Sequence, residues 1–266
     1  MGDIRYLYGV VPAGTNLGRA PAGIDDKPVE LVEAGTHGAL VTTLDGHAYS
    51  PEKIELLAGN VDWLRPRAEA HDQVLNWASD TVTVIPLPMW TLFGDSVAVR
   101  KMLSDRQPEF EATFATISGA REYTVRAYVR SAELMPHLGE YSDEFAALEA
   151  EAGAALPGQR YLLERKIEKE KKTAARRVMG RVAAEVHDGL KRAAVESARD
   201  EIVPSVTASE QGHAILNGSY LISTDRLVEF RRALTEFVNK YQTSGFTFDF
   251  TGPWPPYHFV GGRAGR

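Results

Sequence analysis

The chain has 266 residues, 44% of them hydrophobic and 25% charged, with a formal net charge of −6 and no cysteine. That composition excludes a fibrous repeat or a long disordered chain, and the missing cysteines exclude disulfides, thiolate metal sites and thiol nucleophiles. No apolar run approaches the ~20 residues of a transmembrane helix, and the acidic balance gives no global attraction to nucleic acid or an anionic membrane. The opening MGDIRYLYGVV reads as a strand with neither the apolar core nor the cleavage site of a signal peptide, so the expected compartment is the cytosol.

Length alone suggests one large or two medium domains, and the order of elements favours two. Residues 4–11 alternate as a strand that Pro12-Ala13-Gly14 ends. Val29–Glu33 and Ala39–Leu44 form a hairpin about Gly35-Thr36-His37-Gly38, where glycine permits a tight turn. Ser50-Pro51 starts a helix to about Gly59, Pro66 starts a second carrying Val74, Trp77 and Ala78, and Thr81–Ile85 is a β-branched strand stopped by Pro86 and Pro88. Asp95 or Ser96 caps a helix to about Asp105, and Pro108 opens one ending near Ser118-Gly119. The first domain is therefore placed at residues 1–119.

Beyond it, 121–130 is a strand with Tyr123, Val125, Ala127 and Val129 on one face. A helix over 131–151 breaks at Pro136, and a longer one after Leu156-Pro157-Gly158 runs to about Asp200 with Val178, Val182, Val186 and Leu190 as its buried stripe. Strands at 202–208 and 213–223, a helix over 225–242 and a strand over 246–250 complete a β-α-β-β-α-β order. Asn217-Gly218 leaves arms too short for a hairpin, so 213–223 is read as one strand with room for a bulge. The predicted class is α+β: an N-terminal mixed α+β domain, a modified ferredoxin-like domain at 120–250 with a long helical crossover, and a Pro/aromatic strap and tail at 251–266.

Constellations that carry chemistry are missing. The seven histidines are scattered without metal-ligand spacing, and His71-Asp72 is a doublet whose side chains diverge by about 100° on a helix, so one packs and the other faces solvent. There is no nucleophile elbow around Ser219 and no phosphate-cradling glycine loop. No catalytic residue, metal ligand or cofactor site is assigned. One alternative left open is an enzyme with an unrecognised inter-domain site, which converging titratable groups with displaced pKa values would reveal.

Two stretches stand out. Residues 160–177, RYLLERKIEKEKKTAARR, hold eight basic and three acidic side chains. They read as a solvated helix face with Glu168 and Lys172 paired, or as a surface for an acidic partner or nucleic acid, with Arg176 and Arg177 the residues to test. The second is TGPWPPYHFV at 251–260, where Pro253, Pro255 and Pro256 hold an extended segment that has little entropy left to lose on docking. Trp254, Tyr257 and Phe259 either staple it into a groove of its own protein or are offered to a partner.

Taken together, Tyr6-Leu7-Tyr8-Gly9-Val10 before Pro12, Arg65-Pro66, His71-Asp72-x-Val74-Leu75, Val84-Ile85-Pro86-Leu87, Gly119-x-Arg121-Glu122-Tyr123, Leu216-Asn217-x-Ser219-Tyr220-Leu221-Ile222 and Gly252-Pro253-Trp254-Pro255-Pro256-Tyr257-x-Phe259-Val260 resemble the gas vesicle protein L/F family over nearly the whole chain. The chain departs from it at Pro88-Met89-Trp90, where the family tends to carry an Arg-Phe-Gly type segment, and at His71-Asp72, usually His-Glu. The resemblance implies a non-enzymatic accessory protein of gas vesicle formation that needs no cofactor. It would act early in assembly, bind the small hydrophobic shell protein and sit on the gas-facing side of the shell, with other gas vesicle accessory proteins as further partners and neither nucleic acid nor membrane. Apolar shell subunits call for an apolar grip on a charged body, and Pro86, Met89, Trp90 and Phe93, together with the strap, are the candidates.

Overall fold

Strand β1 (Asp3–Pro12) is buried on both faces from Tyr6 to Val11, because it lies inside a four-stranded sheet of order β2-β3-β1-β4. The computed structural model describes residues 2–202 and 212–260. Its chain forms two units, one of residues up to Glu122 together with those from Pro253 onward, the other of Tyr123–Gly252.

In the first unit β2 (Glu30–Ala34) and β3 (His37–Asp45) pair antiparallel, with Ala34 opposite His37 across a two-residue turn. Gly35 holds φ +60 there, the left-handed conformation such a turn needs. Helix α1 (Pro51–Leu57) starts as expected, with Ser50 Oγ accepting from the Lys53 amide. Helix α2 (Val61–Thr81) starts earlier than Pro66: Asn60 Oδ1 caps it by accepting from the Asp62 and Trp63 amides. Pro66 is tolerated within two turns of that end because the bond it forgoes would have been donated to the exposed Asp62 carbonyl, which solvent can reach.

The largest departure is β4, which spans Ile85–Phe93 and runs through both prolines; Thr81 belongs to α2. It is an edge strand bonded to β1 only, so a proline costs it no second partner. Its register with β1 breaks: Val10 and Gly9 face Ile85 and Pro86, then Leu7 faces Thr91, so Leu87–Trp90 bulge out of the ladder. Helices α3 (Ser96–Asp105), capped by Asp95, and α4 (Gln107–Ile117) follow as read. Tyr6, Tyr8, Ile24, Leu40, Val74 and Leu75 form the core of this unit.

In the second unit β5 (Ala120–Val129) buries Tyr123, Val125, Ala127 and Val129. The segment read as one broken helix is α5 (Ser131–Leu134), a 3-10 turn at Met135–His137, α6 (Leu138–Tyr141) and α7 (Asp143–Ala154), the last capped by Ser142. Helix α8 (Pro157–Leu190) buries Val178, Val182, Val186 and Leu190 as expected but stops ten residues short of Asp200. A short strand, β6 (Glu196–Arg199), takes the remainder antiparallel to β7 (His213–Ser223), with the Val195 amide donating to the Leu221 carbonyl and the Asp200 amide to the Asn217 carbonyl. Those ladder bonds override the helical propensity of an Ala/Glu/Arg-rich stretch. The strand expected at 202–208 lies, from residue 203, outside the described residues. Helix α9 (Leu227–Tyr241) and β8 (Phe246–Trp254) complete the sheet, of order β6-β7-β5-β8. Phe230 and Leu234 of α9 join the α8 stripe, Leu216, Tyr220 and Ile222 in one core, each large side chain contributing ~1.5–3 kcal/mol by leaving water.

Candidate partner-binding site

Beside the β4 bulge a buried hydrogen bond ties β1 to α2: the Tyr6 hydroxyl and His71 Nδ1 are 2.7 Å apart. Burial pushes the His71 pKa down and that of the Tyr6 hydroxyl up, so both are neutral. Trp90 holds φ +68, uncommon for so large a residue. Its ring stacks on Trp63 with centroids 5.2 Å apart and meets Tyr6 edge-on at 5.9 Å, while the Arg67 guanidinium lies 4.6 Å from the Trp63 ring.

The strap returns to the same unit. Pro255 and Pro256 are buried, whereas Trp254 is 42% and Tyr257 41% exposed. The Tyr257 hydroxyl donates to Asp72 Oδ1 at 3.2 Å, so Asp72, one residue after His71, faces the strap while His71 faces the core. The backbone amide of His258 donates to Glu122 Oε2 at 3.0 Å, and His258 Nδ1 lies 2.5 Å from Glu122 Oε1. Beneath the strap is a cavity of about 340 Å³ lined by Asp72, Pro86, Leu87, Met89, Tyr257 and Val260, among others.

Of the residues singled out in the sequence, Pro86, Met89 and Tyr257 thus share one cleft. Pro253 is exposed and Phe259 half-buried; Phe93 is half-buried at the far end of β4, opposite Arg5; Trp90 spends its ring on internal packing. Arg176 and Arg177 lie on α8 of the second unit, Arg177 in an exposed ion pair with Glu144, and Glu168 pairs with Lys171 instead of Lys172. The sequence places Tyr6 and Glu122 only within the stretches that resemble the family and gives neither them nor Asp72 a structural contact. Among the described residues no group of three or more His, Cys, Asp or Glu is placed to hold a metal ion, and no helix is long and apolar enough to cross a membrane.

The family model described as gas vesicle synthesis protein GvpL/GvpF matches residues 4–261. The chain belongs to the GvpL/GvpF family. Gas vesicle protein L of a Streptomyces species is 24% identical, over 97% of this chain and 93% of the relative. Gas vesicle protein L1 of Halobacterium salinarum is 27% identical, over 96% and 90%. The crystal structure of gas vesicle protein GvpF from an Anabaena species superposes with a TM-score of 0.71 at 18% identity, over 98% of this chain and 99% of that one. A GvpL/GvpF chain is thus a mixed α+β protein with two four-stranded sheets, from a family of gas vesicle accessory proteins and not a known enzyme family.

Proposed function

We propose that this GvpL/GvpF protein serves gas vesicle assembly by adhesion, seating an apolar segment of the small shell protein in the cleft between the strap and the β4 bulge. The observation that carries this reading is the pair of half-exposed rings, Trp254 and Tyr257, on a strap fixed beside an apolar cavity. The strap is ordered by Pro255 and Pro256 before any partner arrives, so docking forfeits little chain entropy. Tyr and Trp on a rigid backbone are the side chains that anchor interfaces, and Asp72 offers an acceptor to a partner amide. No bond to the shell protein needs to be made or broken, and no cofactor enters. The site of action is the cytoplasm and then the growing vesicle, with the protein retained on the gas-facing side of the shell.

Immobilised small shell protein should retain the wild-type chain and release the double variant Trp254→Ala, Tyr257→Ala with affinity lowered about tenfold or more. The melting temperature should hold, because the buried Pro255 and Pro256 keep the strap seated. Undiminished retention of the double variant, or failure of the shell protein to retain the wild type while other accessory proteins are retained, would overturn the reading.

A further inference from the structure

The N-terminal half of α8 carries a second surface of different chemistry. The helix is 34 residues long, ~51 Å, yet its buried residues begin only at Ala174. In the first half Leu163 and Ile167 are half-buried and mark the packed side. On the opposite side Arg165, Lys169, Lys172 and Arg176 recur at intervals of four, three and four residues, forming one straight stripe ~16 Å long. All four are exposed, and none pairs with a carboxylate among the described residues; the adjacent Glu168 is turned to Lys171. Leu156, Tyr161 and Leu162 stand exposed at the head of the stripe, with the Arg165 guanidinium over the Tyr161 ring.

A helix face selected only for solubility alternates its charges, as this protein does elsewhere: Lys101 with Asp105 on α3 and Arg232 with Glu236 on α9 are i,i+4 ion pairs. On α8 the corresponding pairs, Arg165 with Lys169 and Lys172 with Arg176, are of like sign and destabilise the isolated helix. We infer that this stripe and its apolar head are a docking surface for an acidic amphipathic helix of a partner protein, whose carboxylates match the four cations and whose apolar residues cover Tyr161 and Leu162. Charge complementarity relieves the repulsion, and Tyr and Arg are the residues that concentrate binding energy at protein interfaces. A nucleic acid is the poorer fit, since a single row of four cations ends in apolar side chains and the rest of the chain is acidic.

The test uses the full chain and fluorescence anisotropy of a dye-labelled synthetic helical peptide bearing Glu at i, i+4, i+7 and i+11 and Leu and Phe beyond one end. A peptide of the same composition in scrambled order and a 20-bp DNA duplex serve as competitors. The patterned peptide should bind about tenfold tighter than the scrambled one and weaken with salt. The variant Arg165→Gln, Lys169→Gln, Lys172→Gln, Arg176→Gln should lose that tenfold preference, and Tyr161→Ala with Leu162→Ala should weaken binding without altering its salt dependence. The four-Gln variant should also melt ~1–3 °C higher than the wild type, because like-charge repulsion is removed. Equal binding of the scrambled peptide, tighter binding of the duplex, full binding by the four-Gln variant, or a melting temperature lowered by its substitutions would each overturn the inference.

Discussion

Glu122 and His258 meet twice: the carboxylate, 2% exposed at the start of β5, accepts from the backbone amide of His258 through one oxygen and faces His258 Nδ1 through the other. A carboxylate removed from water has to be compensated, and here residue 258 supplies both a backbone donor and a ring nitrogen. The strap is therefore held by the electrostatics of one buried group as well as by the packing of Pro255 and Pro256. Replacing His258 by Ala should cost ~1–2 kcal/mol, less than for a fully buried pair because the His258 ring is a third exposed. The consequence is readable locally: chymotrypsin should cut after Tyr257 faster in His258→Ala than in the wild type. Equal cutting rates would show that the His258 ring does not help to hold the strap.

The Tyr6–His71 hydrogen bond makes a second substitution informative. Tyr6→Phe keeps the ring in the core but leaves His71 Nδ1 without that partner. A buried polar group left without its partner should cost ~1–3 kcal/mol in denaturant unfolding. A cost below ~0.5 kcal/mol would mean that this bond does not help to hold α2 on β1.

The same histidine sets a pH dependence. Burial lowers the His71 pKa in the folded protein, and burial with the Arg199 and Lys191 charges lowers that of His187. A depressed folded pKa means that the unfolded chain binds the proton first. The stability due to these neutral rings is thus fully present above the unfolded value of about 6.5 and is lost as pH falls below it. Unfolding free energy should be flat near pH 7–8 in these two contributions and decline below pH 6.5, by up to ~1.4 kcal/mol per pH unit for His71 and by less for the more solvated His187. His71→Gln should reduce the slope; an unchanged slope would remove His71 as its source.

Gly9 should tolerate no side chain. A Cβ there would lie 2.8 Å from the Ile85 carbonyl oxygen and 2.9 Å from Val84 Cγ2, where Gly9 pairs with Pro86 beside the bulge. Gly9→Ala should destabilise by ~1–3 kcal/mol in thermal or denaturant unfolding, because backbone and not a flexible side-chain end must move. A neutral result would show that β4 can shift away from β1.

Ser219 predicts the opposite sign. Its Oγ is fully buried on β7 with no hydrogen-bond partner among the described residues. Ser219→Ala should be neutral or raise stability by up to ~1 kcal/mol, since a desolvated hydroxyl without a partner contributes nothing that a methyl lacks. A loss above ~1 kcal/mol would assign the hydroxyl a structural bond.

Local signals were legible where a residue acts through its own backbone. Ser50-Pro51 and Asp95 set helix starts, Gly35 sets a turn, and the α8 stripe has a period that only a helix buries. The family was legible too, because the strap and the strands quoted with it are distinctive in order and type. What the sequence could not determine was every feature whose cause lies far along the chain. Pro86 and Pro88 read as strand stops until β4 is known to be an edge, and residues 196–199 read as helix until β7 supplies ladder partners. Asp72 reads as half of a doublet in which one side chain packs and the other faces solvent, and Glu122 only as part of a motif, until a strap more than 130 residues away reaches them. Propensity and capping are short-range energies that a few neighbours decide, whereas edge position, ladder pairing and the compensation of a buried charge exist only once distant segments have met.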